Sequence, residues 1–202
     1  TTFVAQCYGK GEKHLCARYC WQGIYLSLSG LLFAAVMMPM SGPLFRAMSH
    51  TPEVTALELE YFRIRLAGYV FIGLNTATAG FFQSINRSRI PMYAAIFGNI
   101  LNLLLNYLLI FGKFGFPRLE VGGAAVATVL SMAFQSAFLL AVFLNRRFND
   151  EYDTRNTWGF DWARTRELAR IGLPAAITMF LDIANWWLFV AFIVGRFGAV
   201  SL

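Results

Sequence analysis

Charge is what this sequence has least of. Only 14% of its 202 residues are Asp, Glu, Lys or Arg, against roughly a quarter in soluble domains. The shortfall falls in long uncharged runs, and with 57% hydrophobic residues and a mean hydropathy of +0.53 it excludes a soluble domain. The chain reads as an integral, multi-pass membrane protein. Histidine is nearly absent too. His14 and His50 both fall in expected loops. There is no His-Glu-x-x-His motif, no pair of acids inside an apolar run and no Ser-His-Asp set within one, so no enzyme is read here. Cysteine is scarce and odd in number. Cys16 and Cys20 lie one helical turn apart near His14, but zinc usually takes four ligands and no second pair exists. The reading is three thiols near a membrane interface, with no metal and no cofactor. The sequence also lacks an initiating Met and a signal peptide. It begins at Thr1-Thr2 in mid-pattern and stops at Val200-Ser201-Leu202, as an internal piece of a longer chain would.

What is present is apolar and periodic. Five uncharged stretches are long enough to cross a bilayer: Tyr19 to Met40, Leu66 to Ile85, Ile90 to Gly112, Val121 to Asn145, and Ile171 to Gly195. Thr1 to Gln6 reads as the tail of an earlier one. Turn signals separate them: Pro39, Gly42 and Pro43; Asn86 to Pro91; Gly115 to Pro117. The fold class is therefore all-α, a polytopic membrane helical bundle. Net charge of +6 does not indicate nucleic acid, because no basic-aromatic surface accompanies it. The positive residues instead sort by side. Eleven of the seventeen, including Lys10, Lys13, Arg18, Arg87, Arg89, Arg146 and Arg147, fall on one side. Arg46, Arg63, Arg65, Lys113, Arg118 and Arg196 fall on the other. The richer side is expected to be cytoplasmic.

Asp182 is the only charge between Ile171 and Gly195. It lies roughly 16 Å along that stretch, near the middle of a hydrocarbon core about 30 Å thick. An acid there is costly and marks an ion or substrate path. Trp186, Trp187, Phe189 and Phe192 follow it, as a stack for an aromatic cation would, or as ordinary lipid-facing packing.

Three other stretches carry polar stripes at helical spacing. Asn99, Asn102 and Asn106 share one face, and Thr128, Ser131 and Gln135 repeat the spacing on the next stretch. Tyr69, Gly73, Thr76, Gly80 and Gln83 form a third, with Asn75 beside it. Together they suit the wall of a wet cavity; singly, each suits an interhelical hydrogen bond. Gly23 and Ser27, Gly30 and Ala34, and Gly122, Gly123, Ala124 and Ala127 have the spacing of close helix packing. Residues 146–170 form the longest polar connection. In it, Asp161 can cap a short helix containing Trp162, Leu168 and Ile171.

These residues, in order, resemble the multidrug and toxic compound extrusion (MATE) family. Thr2-Phe3-Val4-Ala5-Gln6 with Tyr8-Gly9 is similar to the end of that family's second helix. Arg18, Gln22 and Gly23 match the start of the third, and Tyr61-Phe62-Arg63-Ile64 the entry to the fourth. Asn102 and Asn106, then Phe111-Gly112-Lys113-Phe114-Gly115-Phe116-Pro117, resemble the fifth helix and its exit. Gly122-Gly123-Ala124-Ala125-Val126-Ala127-Thr128 resembles the sixth; Gly172-Leu173-Pro174 and Phe180-Leu181-Asp182 the seventh. The ordered set looks most like the NorM-type branch.

The resemblance implies about twelve helices in two lobes. Residues 1–145 would be an incomplete N-terminal lobe, 146–170 a cytoplasmic inter-lobe linker, and 171–202 the first helix of the C-terminal lobe. NorM-type members carry Glu where this chain has Asp182, so the acid is kept but shortened. Another branch has an acid at the position of Asn106. The implied activity is multidrug efflux by cation antiport, with Asp182 binding Na+ or H+. Tyr69, Asn75, Thr76, Asn99, Asn102, Asn106, Thr128, Ser131, Gln135 and Trp186 would line the substrate cavity. The partners implied are membrane lipids and small organic, often cationic aromatic, compounds. The protein would act as a monomer in the bacterial inner membrane. A lipid-linked sugar flippase of the same superfamily is the alternative, although it would need a strongly cationic cavity. A membrane-embedded enzyme is a more distant one.

Overall fold

The computed structural model describes residues 1–46 and 51–189. Among these every regular element is a helix. They are α1 (Thr2–Gly9), α2 (Lys13–Arg46), α3 (Pro52–Ala67), α4 (Tyr69–Ser84), α5 (Arg89–Phe111), α6 (Glu120–Phe143), α7 (Arg146–Tyr152) and α8 (Trp162–Phe189). Residues up to Asp161 form one compact unit, and those from Trp162 onward form a second. Three of the described helices are long and apolar enough to cross a membrane: α2 over Lys13–Pro43, α5 and α6. His50, Phe192, Gly195 and Arg196 lie outside the described residues.

Small residues decide how the first unit packs. A side chain on Gly73 would strike Ser27, one on Gly23 would press on Ala77, and one on Gly30 would meet the Tyr69 ring. The paired numbers rise on α2 as they fall on α4, so the two helices run antiparallel at close range. On α6, a Cβ at Gly123 would lie 2.7 Å from the Leu109 carbonyl oxygen of α5. The α5–α6 hairpin is therefore closed almost backbone to backbone. Gly112, in the left-handed region at φ 63°, ends α5, and Leu119 N–H donates back to the Leu109 carbonyl at 2.9 Å. The two small-residue patterns in the sequence are thus helix contacts.

The expected span Leu66 to Ile85 is divided. α3 begins at Pro52 and stops at Ala67, and α4 starts at Tyr69. Gly68 sits at the break, where a Cβ would overlap both methyls of Val129 on α6. Glycine is the weakest non-proline helix former, and here it also lets α6 approach. Arg63 and Arg65 therefore stand on a helix, α3. Proline at the first helical position after Thr51 starts it.

At the arginine-rich end, an aromatic cluster holds the short helix α7 against the bundle. Phe81 meets Phe143 at 4.9 Å and Tyr152 at 5.4 Å, and Phe82 meets Phe148 at 5.3 Å. Phe81, Phe82 and Phe143 are fully buried. Lys13 at the start of α2 pairs with Glu151 of α7 at 2.9 Å. Lys13 holds the Glu151 carboxyl below its ordinary value, and burial pushes the Tyr152 hydroxyl up to about 12. The ends of α1, α4 and α6 thus meet at one face of the unit, which carries Lys10, Lys13, Arg87, Arg89, Arg146 and Arg147.

Beyond α7, residues 153–161 are pinned to α2 by three successive side chains on one face. Trp21 Nε1–H donates to the Thr154 carbonyl at 2.7 Å, and the Tyr25 hydroxyl donates to the Trp158 carbonyl. Gln22, fully buried, donates to the Gly159 carbonyl at 3.0 Å and accepts the Asp161 N–H at 2.9 Å. The described part of the second unit is a helix, α8, continuous from Trp162 through Pro174 to Phe189. The short helix expected after Asp161 is therefore the first part of a longer one.

Candidate functional site

Helical spacing places the polar side chains of α4, α5 and α6 along shared seams. Asn102 of α5 donates its amide to Ser131 Oγ of α6 at 3.2 Å, and Asn106 donates to Asn102 Oδ1 at 3.0 Å. Further toward the arginine-rich end, Asn75 of α4 donates to Gln135 Oε1 of α6 at 3.2 Å. Gln135 lies over Gly98, where any Cβ would collide with it. The absence of a side chain at Gly98 is thus what gives Gln135 room on the α5 side. Ser131 is buried and also donates to the Ala127 carbonyl of its own helix at 2.9 Å.

The other expected lining residues are placed differently. Thr128 and Thr76 return their hydroxyls to their own helices, at the Ala124 and Ile72 carbonyls, both at 2.8 Å. Tyr69, Thr76 and Asn99 are exposed on the unit's surface. Tyr69 stands against Phe33 of α2, ring centroids 5.9 Å apart. Five of the polar residues (Asn75, Asn102, Asn106, Ser131 and Gln135) therefore hydrogen-bond one another, whereas these three face outward. One acceptor is left over: Asn106 Oδ1 is buried and has no partner.

Asp182 stands on α8 with Thr178 one turn before it and Trp186 one turn after. These three share a face at spacings of four, and all three are exposed. Thr178 donates its hydroxyl back to the Pro174 carbonyl of its own helix at 3.1 Å. Among the described residues no group of His, Cys, Asp and Glu is arranged to hold a metal ion. Cys16 Sγ points at the Val4 carbonyl, 3.5 Å away, and Cys20 Sγ at the Ala77 carbonyl, 3.7 Å away.

Two residues were missed by sequence reasoning. Gln22 carries the contact that pins 153–161, and only a tertiary contact between distant segments identifies it. The other is Arg65. Its guanidinium reaches the Met132 thioether at 3.7 Å, about halfway along α6. α6 is long and apolar enough to cross a membrane, and ionisable groups against the middle of such a helix are rare. A signal did exist: Leu57, Tyr61, Ile64 and Gly68 recur at helical spacing through the charged segment.

With this geometry in place, the chain can be set beside known proteins. The family model described as MatE matches residues 1–108. The probable multidrug resistance protein NorM of Agrobacterium fabrum is 30% identical over 202 residues, covering 98% of this chain and 43% of that protein. Its namesake from Thermotoga maritima is 29% identical over 185 residues, covering 90% of this chain and 39% of that protein. The chain thus spans about two fifths of the length of these relatives. Among solved structures, an inward-facing multidrug resistance MATE transporter of the MOP superfamily matches with a TM-score of 0.73 at 28% identity. That match covers 85% of this chain and 38% of that one. An outward-facing form matches with a TM-score of 0.71 at 28% identity, covering 92% and 43%.

Proposed function

The chain belongs to the MatE family, and from that premise we propose that it supplies the N-terminal lobe and the first C-lobe helix of a secondary active multidrug exporter. In this reading residues 1–145 are the incomplete N-terminal lobe, 146–170 the cytoplasmic connection and 171–202 the start of the second lobe. The observation that carries it is Asp182, one acid in an apolar stretch long enough to span the bilayer. Such an acid binds Na+ or a proton at membrane depth. A bound ion shifts a conformational equilibrium only by its differential affinity for the two states. Binding at Asp182 would therefore favour one arrangement of the lobes, and rocking between arrangements would carry substrate outward. Similarity to both inward- and outward-facing solved forms supports a first lobe that moves as one body.

On the N-lobe, the exposed Tyr69, Thr76 and Asn99 would meet substrate, while the Asn75–Gln135 and Asn102–Ser131 pairs hold the wall beneath them. Trp186, one turn from Asp182, would stack on an aromatic cation. The protein would act as a monomer in the bacterial inner membrane and carry small organic, often cationic, compounds. The test is uphill movement of a fluorescent aromatic cation in vesicles holding the full-length protein. An imposed Na+ or proton gradient should drive it. Flux that only ever follows the cation's own gradient would point to a channel instead.

A further inference from the structure

Three arginines at the corner between α4 and α5 are unused by the reading above. Arg87, Arg89 and Arg147, with Asn86, Ser88 and Phe148, line a single cavity of about 550 Å³. Phe148 is a buried anchor of α7, so the corner is held rigidly where Arg147 meets the α4–α5 turn. No hydrogen bond or ion pair occupies the three guanidinium groups among the described residues. Glu151 feels the charge of Arg87 but is paired with Lys13. At the start of α5, Pro91 has no N–H, and the Ile90 and Met92 N–H groups bond the Arg87 and Ser88 carbonyls, so the three guanidinium groups supply the positive potential of this corner. Fifteen donors on three planar forks constitute a receptor for a phosphate group.

The surroundings say which phosphate. α5 is long and apolar enough to cross a membrane, and it begins at this corner. Beyond Arg89 it presents Tyr93, Phe97 and Ile100, each between 49% and 52% exposed and turned away from Asn99. A headgroup in the cavity would have a lipid-facing apolar ridge on which to lay its acyl chains. The corner also lies on the arginine-rich face, the side expected to meet the cytoplasmic leaflet and its anionic lipids. We propose that Arg87, Arg89 and Arg147 form a specific site for the headgroup phosphate of an anionic phospholipid. The site is independent of what the transporter carries.

Native mass spectrometry of the purified full-length protein tests this without any variant. The protein is exposed to equal phosphatidylglycerol and phosphatidylcholine, then delipidated in steps. The expected result is one phosphatidylglycerol that outlasts every phosphatidylcholine. The triple variant Arg87→Gln/Arg89→Gln/Arg147→Gln should lose it, affinity falling about fivefold for each arginine removed. Arg118→Gln, at the opposite end, should keep it. Equal retention of the two lipids by the wild type would overturn the proposal, and so would undiminished retention by a folded triple variant. A third arm adds inorganic phosphate. If millimolar phosphate displaces the lipid completely, the corner is a free-phosphate site and the lipid assignment fails.

Discussion

Gln22 Oε1 accepts the backbone N–H of Asp161 at 2.9 Å across 139 positions of sequence, while its amide donates to Gly159. One buried side chain thus fixes the end of the connecting segment to the first helix turns of α2. Asp161 is also the last residue of the first compact unit. Replacing Gln22 by Leu keeps the volume but leaves the Gly159 carbonyl and the Asp161 N–H without these partners. Unmade bonds of this kind cost about 1–3 kcal/mol each when buried, and Gly159 is exposed, so about 1–2 kcal/mol in total is expected. The purified Gln22→Leu protein should melt several degrees lower than wild type. Limited proteolysis should open first within 153–161. An unchanged digestion pattern would contradict the role given to Gln22.

Gly98 and Gln135 should be energetically coupled. Gly98→Ala places a methyl where the Gln135 side chain lies. Overpacking of this kind costs roughly 1–3 kcal/mol, and it displaces Gln135 from Asn75. Gln135→Ala opens the space the methyl needs. The double variant should therefore be more stable than the sum of the two singles predicts, by about 1 kcal/mol. Thermal unfolding of the four proteins closes the cycle, and strict additivity would contradict the packing described.

The two asparagines of α5 should behave unequally. Asn102 bonds both Ser131 and Asn106, so Asn102→Leu strips two partners at once. Asn106 already carries a buried oxygen with no partner, and Asn106→Leu removes that unsatisfied atom. Interhelical bonds in membranes average about 0.6 kcal/mol, so Asn102→Leu should be the more destabilising by about 1 kcal/mol. Melting curves of the two variants decide it.

The Lys13–Glu151 pair gives a pH dependence whose sign can be worked out. Lys13 lowers the Glu151 carboxyl from its ordinary 4.5. The unfolded chain therefore takes up that proton first as pH falls, and the pair's contribution is lost below about 4.5. Both side chains are a third or more exposed, so the effect is a few tenths of a kcal/mol. Glu151→Gln should flatten the stability profile below about pH 4.5 and change little at neutral pH. An equally steep acid limb in the variant would contradict the pairing.

The sequence revealed the apolar helices, the charged end and the small-residue contacts because each rests on local pattern. The spacing of Asn102 and Asn106, and of Thr128, Ser131 and Gln135, likewise marked the seam between α5 and α6. That most of these side chains bond one another was not readable, since spacing gives a face but not its neighbour. Glu53, Glu58, Glu60, Arg63 and Arg65 interrupt the apolar pattern of α3, so local hydropathy does not mark it as a helix. Yet α2, at 34 residues, is about 51 Å long, well beyond a bilayer core. α3 packs along the last part of α2, where Arg63 Nε donates to Ser41 Oγ at 3.2 Å and the Phe62 ring meets Phe45 at 5.4 Å. Arg65 was misplaced with the rest of that segment, and Gln22 gave no local sign of its distant partner.

The central claim is that Asp182 couples ion entry to export. Full-length protein and its Asp182→Asn form, reconstituted in vesicles, should be compared for efflux of a fluorescent aromatic cation under imposed inward Na+ and proton gradients. The account predicts uphill efflux by the wild type under at least one gradient, abolished in Asp182→Asn while binding of the cation persists. Gradient-driven efflux of equal rate in both proteins would contradict it.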